Sequence, residues 1–407
     1  MQVANQPALH GVRVVDLTQF EAGTSCTQML AWLGAEVIKV EEPLHGEQGR
    51  RASRDNPEAD SYYFMTLNCN KKSVTADLKS DEGRQIVLKL IAQSDVFIEN
   101  FAPGAIERLG LDYETVKQVN PSVIYAQIKG FSPSGPFAKF LAFDMIAQAA
   151  GGSLSITGEK GGRPLKAGLT VGDTGAGIHC AMGILAALYQ RQMTGQGQRI
   201  EVAMQEAITN FARMSYARQL MANEPCPRTG NQSILGATSP SEAYPCKGGG
   251  ENDYCYVYTS RAGNVHWHRL LKAIGREDLI ESKDFDSPEK RWGRKDEIDA
   301  MISAWTLQRD KHEVMKFLGE AGVPAGAVLS TEELMNDAHL RERGVFSTFT
   351  HPVRGDVTVP GWPVHMSQSR VTVESPPLLG QHNNDIYGQL LNMQPHELEE
   401  LKRKKSI

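Results

Sequence analysis

The segment Lys166-Ala167-Gly168-Leu169-Thr170-Val171-Gly172-Asp173-Thr174-Gly175-Ala176-Gly177 carries the most chemistry per residue in the chain. A short apolar stretch ends at Gly172. Asp173 then opens a long helical pattern, with Gly175 and Gly177 in its first turns. Glycine inside a helix costs about 1 kcal/mol relative to alanine. Two of them at one helix start imply that something approaches the backbone closely. Asp173 has two readings. It is a favoured residue for capping a helix. It is also a carboxylate that a helix N-terminus keeps ionised, and an ionised carboxylate can attack an acyl compound. The spacing alone leaves both open.

Other chemistries find less support. The first turn, Glu21-Ala22-Gly23-Thr24, sits where a dinucleotide fingerprint belongs, but it is not G-x-G-x-x-G. There is no P-loop and no G-x-S-x-G elbow. His266 and His268 form an H-x-H pair without a second cluster to complete a metal site. Gly248-Gly249-Gly250 reads as a turn between strands. Cys26, Cys69, Cys180, Cys226, Cys246 and Cys255 contain no C-x-x-C pair, so they read as core residues in a reducing compartment.

Composition narrows the classes. Lys+Arg is 43 against 48 Asp+Glu over 407 residues, a net charge of −5. That balance lacks the basic excess of a nucleic-acid binder or a membrane-surface protein. No run reaches the roughly 18 apolar residues of a spanning helix, and Met1 to His10 lacks secretory or transit features. The expectation is a cytoplasmic globular protein of two or three domains.

The elements that must position Asp173 alternate. Val12, Val14, Val15 and Leu17 read as a strand, Ser25–Ala35 as a helix, and Val37–Val40 as the next strand. Ser80-Asp81-Glu82 starts another helix, Val96–Ile98 follows as a strand, and Val123–Ile128 as another. Alternation of this kind predicts an α/β domain with a parallel sheet covered by helices. Asp173–Met193 reads as a long helix, Gln198–Val202 as a strand, and Glu206–Leu220 as a helix. The Pro/Gly/Ser-rich stretch 224–250 suggests a boundary. Three parts are expected: a large Rossmann-like domain over 1–223, a small α+β domain with linkers over 224–325, and a segment over 326–407. The segment ends in a charged, solvated helix, Glu399–Lys405.

The order of short motifs then becomes informative. Gly11-Val12-Arg13-Val14-Val15-Asp16-Leu17-Thr18 and Leu33-Gly34-Ala35-Glu36-Val37-Ile38-Lys39-Val40-Glu41 resemble the start of class III CoA-transferases. The resemblance continues through Asn70-Lys71-Lys72-Ser73, Asp95–Phe101, Pro103-Gly104-Ala105, Gly172-Asp173, Thr194–Gln198, Gly322-Val323-Pro324 and Pro377–His382, covering about residues 8–390. Within that family the likeness is strongest to the formyl-CoA:oxalate branch.

The resemblance implies a two-domain α/β subunit in an interlocked, ring-like homodimer whose Rossmann-like domain binds CoA and is completed by the C-terminal segment. It implies that Asp173 is the nucleophile in moving CoA from a thioester to a carboxylic acid, here a small dicarboxylate. An aspartyl anhydride and then an aspartyl-CoA thioester would form on the way. It implies CoA contacts from Glu21, Ala22, Lys79, Asn100, Phe101 and Arg108, with Asp144 at an acidic position near the site. It implies a CoA thioester as substrate, no metal and no tightly bound cofactor, and neither nucleic acid nor membrane as partner.

Departures from the family pattern bear on substrate. Glu21-Ala22 stands where formyl-CoA transferases have Gln-Ala. Glu42 replaces a usual arginine, whose contact would be lost or supplied by Arg50 or Arg51. Ala52 replaces a larger residue near the acceptor pocket. Ile234–Pro240 holds one glycine where relatives have a glycine-rich loop. Phe143 stands where α-methylacyl-CoA racemases place a histidine, and phenylalanine cannot serve as a base. That weighs against the alternative of a racemase. An intact Gly172-Asp173 weighs against a non-catalytic acyl-CoA-binding homologue.

Overall fold

The computed structural model describes residues 6–53, 55–236, 238–260 and 262–407. The chain divides into two compact units: residues 1–153, 166–211 and 339–407 in the first, and 154–165 and 212–338 in the second. Positions 224 and 326, where the sequence suggested boundaries, both fall within the second unit.

The first unit is built on six parallel strands: β1 (Arg13–Asp16), β2 (Glu36–Glu41), β3 (Lys71–Thr75), β4 (Val96–Glu99), β5 (Ile124–Lys129) and β6 (Gln198–Ala203). Their order is β3-β2-β1-β4-β5-β6. The order reverses direction between β1 and β4. Loops leaving those two strands diverge there and open a crevice, the usual ligand position of a doubly wound sheet. β1, β2 and β4 are buried on both faces, as parallel strands under helices must be. One face packs Val14, Val37 and Ile98 against Leu30 and Ile184; the other packs Val15, Ile38 and Phe97 against Ile86 and Leu90.

Local signals explain the helices. Ser80 caps Asp81–Ala92 by accepting from the Gly83 amide at 3.0 Å, and the apolar residues of that helix turn onto the sheet. The helix beginning at Asp173 runs to Thr194 and ends at Gly195, whose φ of +70° suits glycine. The helix expected over 206–220 is two, Met204–Phe211 and Arg213–Ala222, broken at Ala212.

The first helix, Ala22–Trp32, packs on the long helix at very short range. A Cβ at Gly177 would lie 2.2 Å from Ser25 Oγ and 2.8 Å from the Ala22 carbonyl oxygen; one at Gly175 would lie 2.3 Å from the Phe211 ring. The close approach that the sequence implied at these glycines is made by the protein itself.

The C-terminal residues return along β3. His382 donates its amide to the Ser73 carbonyl at 2.9 Å, Gly380 to Ser73 Oγ at 2.9 Å, and the Tyr387 hydroxyl to the Thr75 carbonyl at 2.7 Å. The last helix, Pro395–Arg403, exposes its charged residues as the sequence suggested, but its other face is packed. Leu398, Leu401 and Ile407 are buried in the sheet-facing core, and the Asp77 amide donates to the Ser406 carbonyl.

The second unit pairs β7 (Ser241–Pro245), β8 (Tyr254–Tyr258) and β9 (Ala325–Ala327), with β8 central. Its core gathers Trp267, Leu270, Ile298, Ile302, Val314 and Leu318. His266 and His268 lie on the helix Val265–Ala273, and Gly248–Gly250 form the turn between β7 and β8. The remaining hairpin, β10 (Phe346–His351) with β11 (Gly355–Pro360), belongs to the first unit.

Gly177→Ala is expected to destabilise the protein by about 1–3 kcal/mol through overpacking, less the roughly 1 kcal/mol that alanine gains in a helix. Gly319→Ala, at a helical position with open space around it, should stabilise slightly. Denaturant unfolding of both variants checks this; equal stabilisation by both would mean that the two helices are not in contact as described.

Candidate active site

Where the strand order reverses, a cavity of about 410 Å³ opens. Gln19, Phe20, Glu21 and Ala22 line it from the loop after β1, Asn100 and Phe101 from the loop after β4, Lys129 and Gly130 from the end of β5, and Asp173 from the long helix. Phe140, Leu141 and Phe143 supply an apolar wall.

The loops are fixed to one another. The Asn100 side chain accepts the Gln19 amide and donates to the Gln19 carbonyl, each at 2.8 Å. The Lys129 ammonium donates to the Glu99 carboxylate and to the Phe101 carbonyl, each at 2.8 Å. Phe20 adopts φ +58°, a left-handed conformation costly for a bulky residue. Its amide donates to Glu47 Oε2 at 2.9 Å and its ring meets Phe143 edge-on at 6.1 Å.

Beneath that loop lies a buried charge network. Asp16 accepts from the Thr18 amide and Thr27 hydroxyl at 2.7 Å and from the Lys71 ammonium at 3.2 Å. The Lys39 ammonium donates to the Thr18 carbonyl at 2.7 Å. Burial pushes the Lys71 amine down to about 8, against the opposing pull of Asp16.

Asp173 is held by its neighbours. Asp144 is buried behind it; Oδ1 accepts from the Gly172 amide at 2.8 Å and Oδ2 from the Gln148 side-chain amide at 2.8 Å. Gln148 in turn accepts from the Ala167 amide at 3.0 Å and donates to the Leu169 carbonyl at 3.1 Å. Asp144 thus clamps the turn that leads into Asp173. A Cβ at Gly172 would sit 3.0 Å from Asp144 Oδ1. Glu21 Oε1 accepts from the Thr174 hydroxyl at 2.7 Å and from the Thr170 hydroxyl.

The sequence reading expected the helix N-terminus to keep Asp173 ionised. The structure corrects this. Burial, then the Glu21 and Asp144 carboxylates, push the Asp173 carboxyl up to about 7. Three acids in a half-buried site outweigh one helix dipole, worth typically about 0.3–1 kcal/mol.

Five sequence-derived residues, Glu21, Ala22, Asn100, Phe101 and Asp173, line this one cavity, and Asp144 lies directly behind it. Lys79 and Arg108 are exposed and stand outside that lining. They follow the C-terminal ends of β3 and β4. Arg50 is not free to replace the arginine missing at Glu42. It is buried, with its guanidinium on Glu41 at 2.6 Å, Asp60 at 2.7 Å and the Pro377 carbonyl at 3.1 Å. Arg51 and Glu42 are exposed. Sequence reasoning missed Gln148 and Lys129, whose roles come only from partners distant in the chain. Ala237, inside the Ile234–Pro240 stretch, and Met1–Asn5 lie outside the described residues.

Comparison with known proteins decides the family. A family model described as CoA-transferase family III matches residues 9–383. The chain belongs to CoA-transferase family III. A formyl-CoA:oxalate CoA-transferase of Streptomyces coelicolor is 43% identical over 408 residues, covering 97% of this chain and 98% of that protein. Another of Rhodopseudomonas palustris strain HaA2 is 38% identical over 411 residues, covering 97% and 96%. Among solved structures, a CAIB/BAIF family protein from Brucella suis superposes with a TM-score of 0.83 at 29% identity, covering 95% of this chain and all of that one. Rv3272 from Mycobacterium tuberculosis gives 0.77 at 29% identity, covering 93% and 98%. The protein is therefore a CoA-transferase acting on CoA thioesters and carboxylic acids. Among the described residues, no helix is long and apolar enough to cross a membrane. No group of three or more His, Cys, Asp or Glu among them is placed to hold a metal ion.

Asp144→Ala is expected to lower kcat by about 10–100-fold with little change in KM for CoA thioesters, because it frees the Gly172 turn without touching the cavity. Asp144→Asn, which can still accept the Gly172 amide, should recover part of the loss. Steady-state kinetics on both variants check it; an unchanged kcat in Asp144→Ala would remove the clamp.

Proposed function

We propose that Asp173 is the covalent nucleophile and that the large unit binds the CoA thioester along the cavity at the sheet's switch point. The observation that carries this reading is a carboxyl raised to about 7 at a helix start that opens onto that cavity. When ionised, its Oδ attacks the thioester carbonyl carbon. The C–S bond breaks, CoA thiolate leaves, and an aspartyl anhydride forms. The thiolate then attacks the aspartyl carbonyl, releasing the donor acid and leaving an aspartyl-CoA thioester. The acceptor carboxylate attacks that thioester, again expelling thiolate and forming a second anhydride. Attack of the thiolate on the acceptor's acyl carbon gives the new CoA thioester and restores the Asp173 carboxylate. No electrons are gained or lost, so the sequence needs no redox partner.

Glu21, Ala22, Asn100 and Phe101 shape the thioester end of the cavity. Lys79 and Arg108, exposed after β3 and β4, are the cations we assign to CoA phosphates. The acceptor is a small carboxylic acid. A dicarboxylate fits the relatives, whose names specify oxalate. Phe143, at the cavity wall, offers no base for α-proton exchange, which disfavours racemisation.

We further infer an interlocked homodimer. The long helix presents Ile178, Met182, Tyr189 and Met193 to solvent along one face, a stripe that a second copy would cover. Sedimentation should give a dimer; a monomer at micromolar concentration would end this inference. We place the reaction in the cytoplasm.

Intact mass spectrometry after brief mixing with formyl-, acetyl-, succinyl- and oxalyl-CoA should show a gain of CoA minus water on the peptide holding Asp173. Asp173→Ala should abolish the adduct, lower transfer on the order of 10⁴-fold or more, and keep CoA binding. An active Asp173→Ala would refute the mechanism.

The rate of adduct formation should depend on pH with one sign. The attacking form is ionised, so the rate rises about tenfold per unit below pH 7 and levels off above it. Glu21→Gln, which removes one adjacent negative charge, should move the midpoint lower; a wild-type midpoint near 4 would contradict the assigned environment.

A further inference from the structure

A second cavity, of about 620 Å³, opens in the first unit at the far end of the first helix. Ala22 begins that helix at the catalytic cavity and Trp32 ends it here, about 15 Å away at about 1.5 Å per residue. Trp32 and Trp362 stand together in the lining, ring centroids 6.0 Å apart and planes tilted by 42°. Both indole N–H groups are sealed from solvent, so the rings turn carbon, not a donor, toward the cavity. Arg343 and Arg370 are exposed and line it too. Neither guanidinium bonds to any described residue. His339 and His365 add two imidazoles, and Glu342 is the one carboxylate among the described residues of the lining. The walls are tied down. The Gly361 amide donates to the Val345 carbonyl at 2.8 Å, which joins the turn carrying Arg343 to the residue before Trp362. The Ala8 amide donates to Ser369 Oγ at 2.8 Å and the Asn70 side-chain amide to the Thr372 carbonyl at 2.7 Å, which fixes the chain on both sides of Arg370.

One exposed arginine is ordinarily just solvated. Here two unpaired guanidinium groups meet a pair of aromatic rings on one walled cavity, whose size is that of a small-molecule site. We propose that this cavity binds a nucleoside phosphate, its base against the Trp32–Trp362 pair and its phosphate on Arg343 and Arg370. The excess of cation over carboxylate selects an anion, and the rings select a flat group that stacks. One guanidinium fork saturates the two oxygens of a carboxylate; two of them call for the three oxygens of a phosphate. The site shares no lining residue with the catalytic cavity and does not depend on the role of Asp173.

The probe is AMP, titrated into the full chain with CoA held saturating, because CoA carries an adenine nucleotide of its own. Equilibrium dialysis should give one AMP per chain, and tryptophan fluorescence should change with the same midpoint. Adenosine and ribose 5-phosphate should each bind about tenfold more weakly or worse. Arg343→Ala and Arg370→Ala should each weaken AMP by about tenfold or more while transfer activity is kept. Trp362→Leu should weaken AMP and leave the binding of inorganic phosphate unchanged. No AMP binding at millimolar concentration under saturating CoA overturns the proposal. So does AMP that binds only when CoA is left out, which would put it in the catalytic cavity. Adenosine bound as tightly as AMP removes the guanidinium contact, and inorganic phosphate bound as tightly removes the aromatic one; either result overturns the site. These ligand comparisons need only the wild-type chain, so they hold even where a variant fails to fold.

Discussion

The site depends on how closely two helices can approach. The first helix and the long helix meet where Gly177 faces Ser25 and the Ala22 carbonyl, with no room for a Cβ. That contact sets the two helix starts side by side. One ends in Glu21 and the other in Asp173, and the Thr174 hydroxyl ties them together at 2.7 Å from Glu21 Oε1. A methyl group at the crossing would separate the helices and with them the two carboxyl groups. Packing therefore decides the electrostatics of Asp173, not the reverse.

The sheet supplies the second condition. Its order changes direction between β1 and β4, so the loops after them open a crevice rather than pair. Loops over a crevice need anchoring, and charge does it here. Asp16, Lys39, Lys71 and Glu47 lie under the β1 loop, all buried, each bonded to backbone or to one another. Breaking one such pair leaves its partner charge buried and alone, which costs about 3–5 kcal/mol. The strained Phe20 is held by that same network through Glu47. Loop shape, cavity shape and the position of Glu21 thus share one support.

Much of this was legible in the chain. Strands β1, β2, β4 and β5 follow from apolar runs, and the helix after Ser80 from its cap. Asp173 stood out because glycines surround it. What the chain did not show has a common physical origin. Gly175 and Gly177 implied a close approach but not by what, because their neighbours, Phe211 and the first helix, lie far away in sequence. Arg50 looked available because Asp60 and the Pro377 carbonyl cannot be seen beside it. The charged tail is solvated along its charged side, and its period hides two leucines that turn inward. β3, with two lysines and a serine, lacks the apolar run that marks a buried strand. Its Lys71 is buried because Asp16, Thr27, Asn68 and the Thr24 carbonyl, distant in the chain or hidden in its fold, accept its ammonium.

On the proposed mechanism the two acids around Asp173 are not simply a hindrance to it. Raising Asp173 to about 7 means that a fraction of the molecules at neutral pH hold it protonated and inert. The ionised fraction, however, sits in a partly dry site against two other carboxylates. Forming an anhydride or a thioester turns that carboxylate into a neutral acyl group and removes one of the three charges. The repulsion is present before attack and relieved by it, so the site destabilises the free nucleophile more than the covalent states. Formation of the new CoA thioester restores the charge, and that step must work against the same repulsion. On that mechanism the reactivity of Asp173 is set by neighbouring carboxylates, and one of them, Glu21, is held in place by a helix contact that admits only glycine.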